Sequence, residues 1–247
     1  IQIEKVEKSK LEGNEDGELN FGKVFTDHMF IADFKDGEWG NIKITPFADL
    51  QLSPATSFIH YGQSIFEGLK AFHGDDGINR LFRPMENIRR FNKSAVRMCM
   101  PEFPEALHLH ALKQLLKLDS AWVPKGRDTA MYIRPFMFGT TEFLGVAESK
   151  EYRFMIIMSP SGAYYKEPVK VKIETEFTRA IEGGTGFAKA AGNYAGALYP
   201  TKLAHEEGYQ QLIWTDGKDH RNIEESGTMN LMMVLNGTLV TPKTSNT

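Results

Sequence analysis

The sequence predicts an α+β fold in two domains, and three observations carry that prediction. Strand-sized stretches in the first half are separated by short turns; two segments of helical period follow them; and SPSGAYYKEP, rich in Ser, Gly and Pro, sets this half apart from a second one that opens on a fresh alternating strand. The domains are expected at residues 1–164 and 165–247. A chain of 247 residues that is 41% hydrophobic and 25% charged has enough apolar material for a sizeable core.

Each element has its own signal. HMFIADF and NIKITPF are strands broken by the turn KDGEWG, and FEGLKAF and INRLF flank the loop HGDDG. In RPMENIRRFNKSAVRMCMP, Ile88, Phe91, Ala95 and Met98 recur at helical spacing, with Pro84 suited to the first turn. In PEALHLHALKQLLKLDSAWVPKG a stripe of Leu109, Leu112 and Leu116 does the same before Pro124 and Gly126 stop it. AMYIRPFMFG and YRFMIIMSP are short and aromatic or β-branched, which suits buried strands. Beyond the boundary the reading is a strand in VKVKIETEF, a Gly-rich loop, a helix from about Tyr194 to Glu207 ended by Gly208, and the strand QLIWT. A hairpin at Asn236-Gly237 follows, because both residues tolerate positive φ. Strand pairing is expected to be mainly local.

Composition excludes several functions. The net charge is −3 with acids and bases interleaved, which speaks against a nucleic-acid partner. Cys99 is the only cysteine, so no internal disulfide or thiolate metal site is available, and a reducing, cytoplasmic setting is expected. IQIEKVEKSK lacks the apolar run of a signal peptide, and no segment is long and apolar enough for a membrane. His108 and His110 stand two apart on a helix and do not share a face, so no metal site is expected. Ser161 lacks the preceding Gly of a hydrolase elbow.

The chemistry centres on GGTGFAKAAGNYAG, where small residues around Lys189 let a bulky ligand approach the backbone. A nucleotide P-loop needs Gly before the lysine and Ser or Thr after it; Ala188 and Ala190 stand there instead. The remaining functional reading is a lysine used for its amine, desolvated enough to react with a carbonyl. A lone lysine is more often solvated surface. Glu224 and Glu225 in NIEESGTMN, read as a turn between strands, could pair with a protonated ring nitrogen, and Arg83 before Pro84 could bind a phosphate. Surface positions are the alternative for all three. A phosphate-binding module would bind ATP or GTP with magnesium, and a structural protein would carry no cofactor and lose only stability on Lys189→Ala.

Taken together, FEGLKAF, LFRPMENIRR, YIRPF, SPSGAYY, GGTGFAKAAGNYAG and EESGTMN resemble the branched-chain amino acid aminotransferases of the fold-type-IV class of pyridoxal-phosphate enzymes, from about Phe21 to the last residue. The resemblance implies a small N-terminal α/β domain and a larger C-terminal pseudo-barrel domain that binds the cofactor. It implies that Lys189 is the Schiff-base lysine and general base. Tyr194 would hydrogen-bond the cofactor's phenolic oxygen, Glu225 would partner its ring nitrogen, Arg83 would bind its phosphate, and Thr228 would stand at the cofactor and substrate edge. The substrate pocket would be lined by Phe21, Phe66, Tyr132, Arg134 and Tyr164, with Tyr61, Leu144 and Val146 reaching over from the other subunit of a homodimer. The implied reaction exchanges the amino group of leucine, isoleucine or valine with 2-oxoglutarate, giving glutamate. Discrimination among the three would be slight, since one methylene is worth about 1–3 kcal/mol. D-amino acid transamination is the runner-up within the class. Family members continue beyond Thr247 with a second phosphate-binding segment, G-[IV]-T-R, and a Thr-rich substrate loop; a polypeptide ending at Thr247 is expected to be poorly active.

Overall fold

A computed structural model describes residues 1–13, 21–163, 165, 167–227 and 229–243. Contacts divide the chain into two compact units, Ile1–Tyr164 and Tyr165–Thr247.

The first unit is an eight-stranded sheet with three α-helices. Its strands are β1 (Gln2–Ile3), β2 (His28–Lys35), β3 (Glu38–Pro46), β4 (Ser64–Phe66), β5 (Leu69–His73), β6 (Asn79–Leu81), β7 (Ala130–Gly139) and β8 (Tyr152–Ser161). The short helix α1 (Ser57–Tyr61) precedes β4, and the longer α2 (Pro84–Arg97) and α3 (Glu105–Leu118) lie between β6 and β7. The order is β1-β3-β2-β8-β7-β5-β6, with β4 also on β7. Pairing is therefore less local than expected. β2 joins β8 from far along the chain, and β1 lies parallel to β3. The turn between β2 and β3 is also tighter than KDGEWG suggested: Asp36 (φ 52°) and Gly37 (φ 85°) alone make it, in the doubly positive-φ form that matches strand twist.

Period-2 alternation gives the sheet two unlike faces. Met131, Ile133 and Met137 of β7, with Ile65, Leu69 and Ala71 opposite, point into the main core with Ile88 and Phe91 of α2 and Leu112 and Leu115 of α3. Tyr132, Arg134 and Phe136 alternate with them and are half-buried. The stripe on α3 is broader than Leu109, Leu112 and Leu116: His108, Ala111 and Leu115 are buried, whereas Leu109 is only partly so. α3 also ends at Leu118, short of Pro124, and a 3-10 turn, Ser120–Trp122, follows.

β4 and β5 share one register against β7 but are interrupted at Glu67–Gly68. The cause is Pro135. Glu67 donates its backbone N–H to the Pro135 carbonyl at 2.8 Å, and proline has no N–H to return the bond. The ladder breaks there.

In the second unit β9 (Val171–Ile173) is parallel and β11 (Ile223–Ser226) antiparallel to the central β10 (Gln211–Thr215). The expected strand in VKVKIETEF shrinks to β9. The expected helix from Tyr194 is two helices, α4 (Ala191–Gly196) and α5 (Leu198–Glu206). Pro200 explains the split, because it cannot donate to the carbonyl four residues back and its ring crowds that carbonyl. Gly208 (φ 87°) ends α5, and Ala204, Leu212 and Trp214 form a small core. The hairpin β12 (Met233–Leu235) and β13 (Thr238–Val240) turns at Asn236 (φ 49°) and Gly237 (φ 77°), as expected.

Candidate active site

In the second unit, Lys189 lies just before α4 and is half-buried. Its Nζ donates to the Tyr194 hydroxyl at 2.8 Å. The loop is held by Asn193, which the sequence reading passed over. Its Nδ2 donates to the Thr185 and Ala188 carbonyls, both at 2.8 Å, and its Oδ1 accepts from the Thr185 hydroxyl at 2.7 Å. That clasp fixes the backbone on either side of Lys189. A Cβ on Gly192 or Gly196 would meet nothing within 4 Å, so the space beside the lysine loop is open.

Glu224 and Glu225 stand on β11 rather than in a turn. Glu225 lies opposite Trp214 and forms an ion pair at 2.8 Å with Arg179, a second residue the sequence reading missed. The Arg179 Nε–H does not point along that contact, so the pairing is ionic rather than a hydrogen bond. Oε2 of Glu224 is buried without a hydrogen-bond partner among the described residues. Gly227 (φ 55°) then turns the chain, donating its N–H to the Leu212 carbonyl at 2.7 Å. An amine, a phenol and a guanidinium-held carboxylate in one small unit fit pyridoxal phosphate, which offers an aldehyde, a phenolic oxygen and a basic ring nitrogen.

The first unit gathers four of the predicted pocket residues on the open face of its sheet. Arg134 Nη2 donates to the Tyr132 hydroxyl at 2.7 Å, and the guanidinium lies 4.4 Å from the Phe66 ring centre. Phe21 meets Tyr132 edge-on at 4.8 Å. Nε of Arg134 is buried with no hydrogen-bond partner among the described residues. Gly68 is required here, because a Cβ would come within 2.3 Å of the Tyr132 hydroxyl. Tyr61, Leu144 and Val146 form a separate, exposed group on which Tyr61 donates its hydroxyl to the Leu144 carbonyl; Val146 is 88% exposed. The loop carrying Leu144 and Val146 is fixed: Phe143 N–H donates to the Ala55 carbonyl at 3.0 Å, and Ser149 N–H to Gln63 Oε1 at 2.9 Å.

Arg83 caps α2 with a left-handed backbone (φ 47°, ψ 47°) and an exposed side chain 3.6 Å from Glu86. A non-glycine residue held there is strained, a condition that recurs at ligand sites. Tyr164 and Thr228 lie outside the described residues. Among those described, no cluster of His, Cys, Asp and Glu could hold a metal ion, and no helix is long and apolar enough to cross a membrane. His108 is core, enclosed by Phe91, Phe103 and Phe154.

Residues 64–247 match the family model described as Amino-transferase class IV. The chain is 49% identical over 232 residues to branched-chain-amino-acid transaminase 1 of Bacillus subtilis, covering 92% of this chain and 65% of that protein. It is 46% identical over 246 residues to branched-chain-amino-acid aminotransferase 2 of the same organism, covering 98% and 67%.

The chain belongs to the class IV aminotransferases, in the branched-chain-amino-acid group.

It spans about two thirds of the length of these relatives. As a class IV aminotransferase it also shares the fold of solved structures. The branched-chain amino acid aminotransferase of Escherichia coli superposes with a TM-score of 0.67 at 25% identity, over 87% of this chain and 67% of that one. That of Thermoproteus uzoniensis, solved with norvaline, superposes with a TM-score of 0.68 at 21% identity, over 87% and 68%. These likenesses agree with a fold-type-IV architecture of which this class IV aminotransferase chain is a part.

Proposed function

We propose that this chain supplies the catalytic lysine and the substrate pocket of a cytoplasmic, homodimeric transaminase that exchanges the amino group of L-leucine, L-isoleucine or L-valine with 2-oxoglutarate. The observation that carries the reading is the Lys189–Tyr194 contact at 2.8 Å in a loop of small residues. Bound pyridoxal phosphate supplies an aldehyde for amines to condense with and a ring that draws electrons from the substrate α-carbon.

The chain's own residues do the rest. Lys189 Nζ would hold the cofactor through its amine and would take and return the substrate α-carbon proton. Tyr194 orients that nitrogen and offers its hydroxyl to the phenolic oxygen. Glu225, its charge complemented by Arg179 at 2.8 Å, holds a proton at the ring nitrogen. Arg83 and Thr228 serve the phosphate and the cofactor edge.

Substrate binding must accept an aliphatic side chain and, in the other half-reaction, a carboxylate. Phe21, Phe66, Tyr132 and Tyr164 supply apolar walls. Arg134, with a buried Nε–H that lacks a partner among the described residues, supplies a donor. Tyr61 at the end of α1, and Leu144 and Val146 on the loop after β7, are exposed, which supports their being covered by a second copy. The test is transamination of 2-oxoglutarate by separate enantiomers: turnover of L-leucine, L-isoleucine and L-valine at similar kcat/KM is expected, and consumption of D-amino acids alone would overturn the reading.

A further inference from the structure

Glu67 takes no part in the chemistry just described, yet it is fully buried, at 0% exposure, on the helix-covered face of the sheet. Four donors surround its carboxylate. Oε1 accepts from Arg90 Nε at 2.5 Å, and Oε2 accepts from Arg90 Nη2 at 2.9 Å, Asn87 Nδ2 at 3.0 Å and the Gly68 backbone N–H at 3.1 Å. The same Asn87 nitrogen reaches the Gly68 carbonyl at 3.3 Å. The Gly68 carbonyl is thereby held from α2 directly, and its N–H through the Glu67 carboxylate that Asn87 and Arg90 of α2 grip.

Burying a carboxylate carries a desolvation cost that a hydrophobic residue of similar size avoids, often with equal or greater stability. Ile65 and Leu69, two positions to either side, are such residues on the same face. What an apolar residue at position 67 could not do is accept from the Gly68 N–H. Gly68 sits where Pro135 interrupts the ladder, so the sheet alone holds this point weakly. It is also where the strand backs directly onto Tyr132, whose hydroxyl accepts from Arg134. The chain of contact runs from Glu67 and Asn87 through Gly68 to Tyr132 and Arg134.

We propose that Glu67, with Asn87 and Arg90, is a positioning and affinity-setting residue: the clamp fixes Gly68, and so sets how tightly the Tyr132–Arg134 pair binds the carboxylate-bearing acids. The inference rests on the functional reading above for the nature of the ligand. It is tested on the cofactor-loaded enzyme with Glu67→Gln, which keeps shape and one acceptor but loses the charge, and with Asn87→Ala, which removes both Asn87 bonds. Binding of 4-methylvaleric acid, leucine without its amino group, is measured by calorimetry, beside KM and kcat for L-leucine and 2-oxoglutarate and the melting temperature.

The clamp predicts Kd and KM raised about tenfold in both variants, with kcat within about threefold of the parent, since loosening the support of a binding group by a fraction of an ångström weakens binding first. Variants that bind like the parent overturn it. So does a parallel collapse of kcat and melting temperature in both variants, because that outcome makes Glu67 structural only. A parent enzyme that neither binds nor turns over these acids defeats the functional reading itself and this inference with it, and that result is visible before any variant is compared.

Discussion

Replacing Gly68 by alanine isolates one contact. The backbone of Gly68 does not need a positive φ, so the added methyl acts only by occupying space. Its Cβ would stand 2.3 Å from the Tyr132 hydroxyl oxygen, 3.0 Å from Cζ and 3.2 Å from Cε2. The ring must therefore retreat as a body, by about 1 Å to restore ordinary contact. Phe21, 4.8 Å away edge-on, moves with it or resists. The retreat breaks the 2.7 Å bond from Arg134, a charge-assisted hydrogen bond worth about 1.5–3 kcal/mol, and adds overpacking strain of about 1–3 kcal/mol. The melting temperature is expected to fall by several degrees, and KM for leucine to rise between about tenfold and a hundredfold, the cost of an ångström's displacement in a site. Thermal melts and steady-state kinetics read both. Unchanged values in both would mean that Tyr132 has room to move, and would refute the account of Gly68.

His108, buried among three phenylalanines with neither ring nitrogen hydrogen-bonded among the described residues, has its pKa pushed down to about 3 by burial. A depressed histidine favours folding above its unfolded pKa, so from about pH 6.5 down to about 3 it should remove about 1.4 kcal/mol of stability per pH unit. His108→Leu should abolish that share of the acid sensitivity and stabilise the protein at pH 7, as denaturant titrations at pH 7 and pH 4.5 will read. Asn193→Ala removes three hydrogen bonds from the lysine loop and should cost about 2–3 kcal/mol in the same titrations, with weaker cofactor retention on dialysis. Arg179→Met leaves Glu225 without its 2.8 Å partner; kcat should fall at least about tenfold while bound cofactor persists, and an unaltered kcat would remove Arg179 from the mechanism.

Legibility in the sequence followed the range of the interactions. AMYIRPFMFG could be bounded correctly because alternation inside it already separates Met131, Ile133 and Met137 from Tyr132, Arg134 and Phe136. The Asn236-Gly237 hairpin was equally local. The split between α4 and α5 is hidden because the helical period runs on through Pro200, whose effect on the carbonyl four residues back outweighs it. Glu67 went unnoticed because a charged residue reads as surface, although Ile65, Leu69 and Ala71 place its period on the buried face. That signal was present in the sequence. Arg179 offered none, since its partner Glu225 lies far along the chain in another strand. The same distance hid the pairing of β2 with β8.

The role of Lys189 can be read from visible absorption. The enzyme loaded with pyridoxal phosphate should absorb in the visible range, and the band should shift when L-leucine is added. Lys189→Ala, purified and loaded in the same way, should lack that band and show no turnover. A Lys189→Ala protein that keeps the band and its response to leucine, or a parent protein whose absorption responds to no amino acid, would contradict the account.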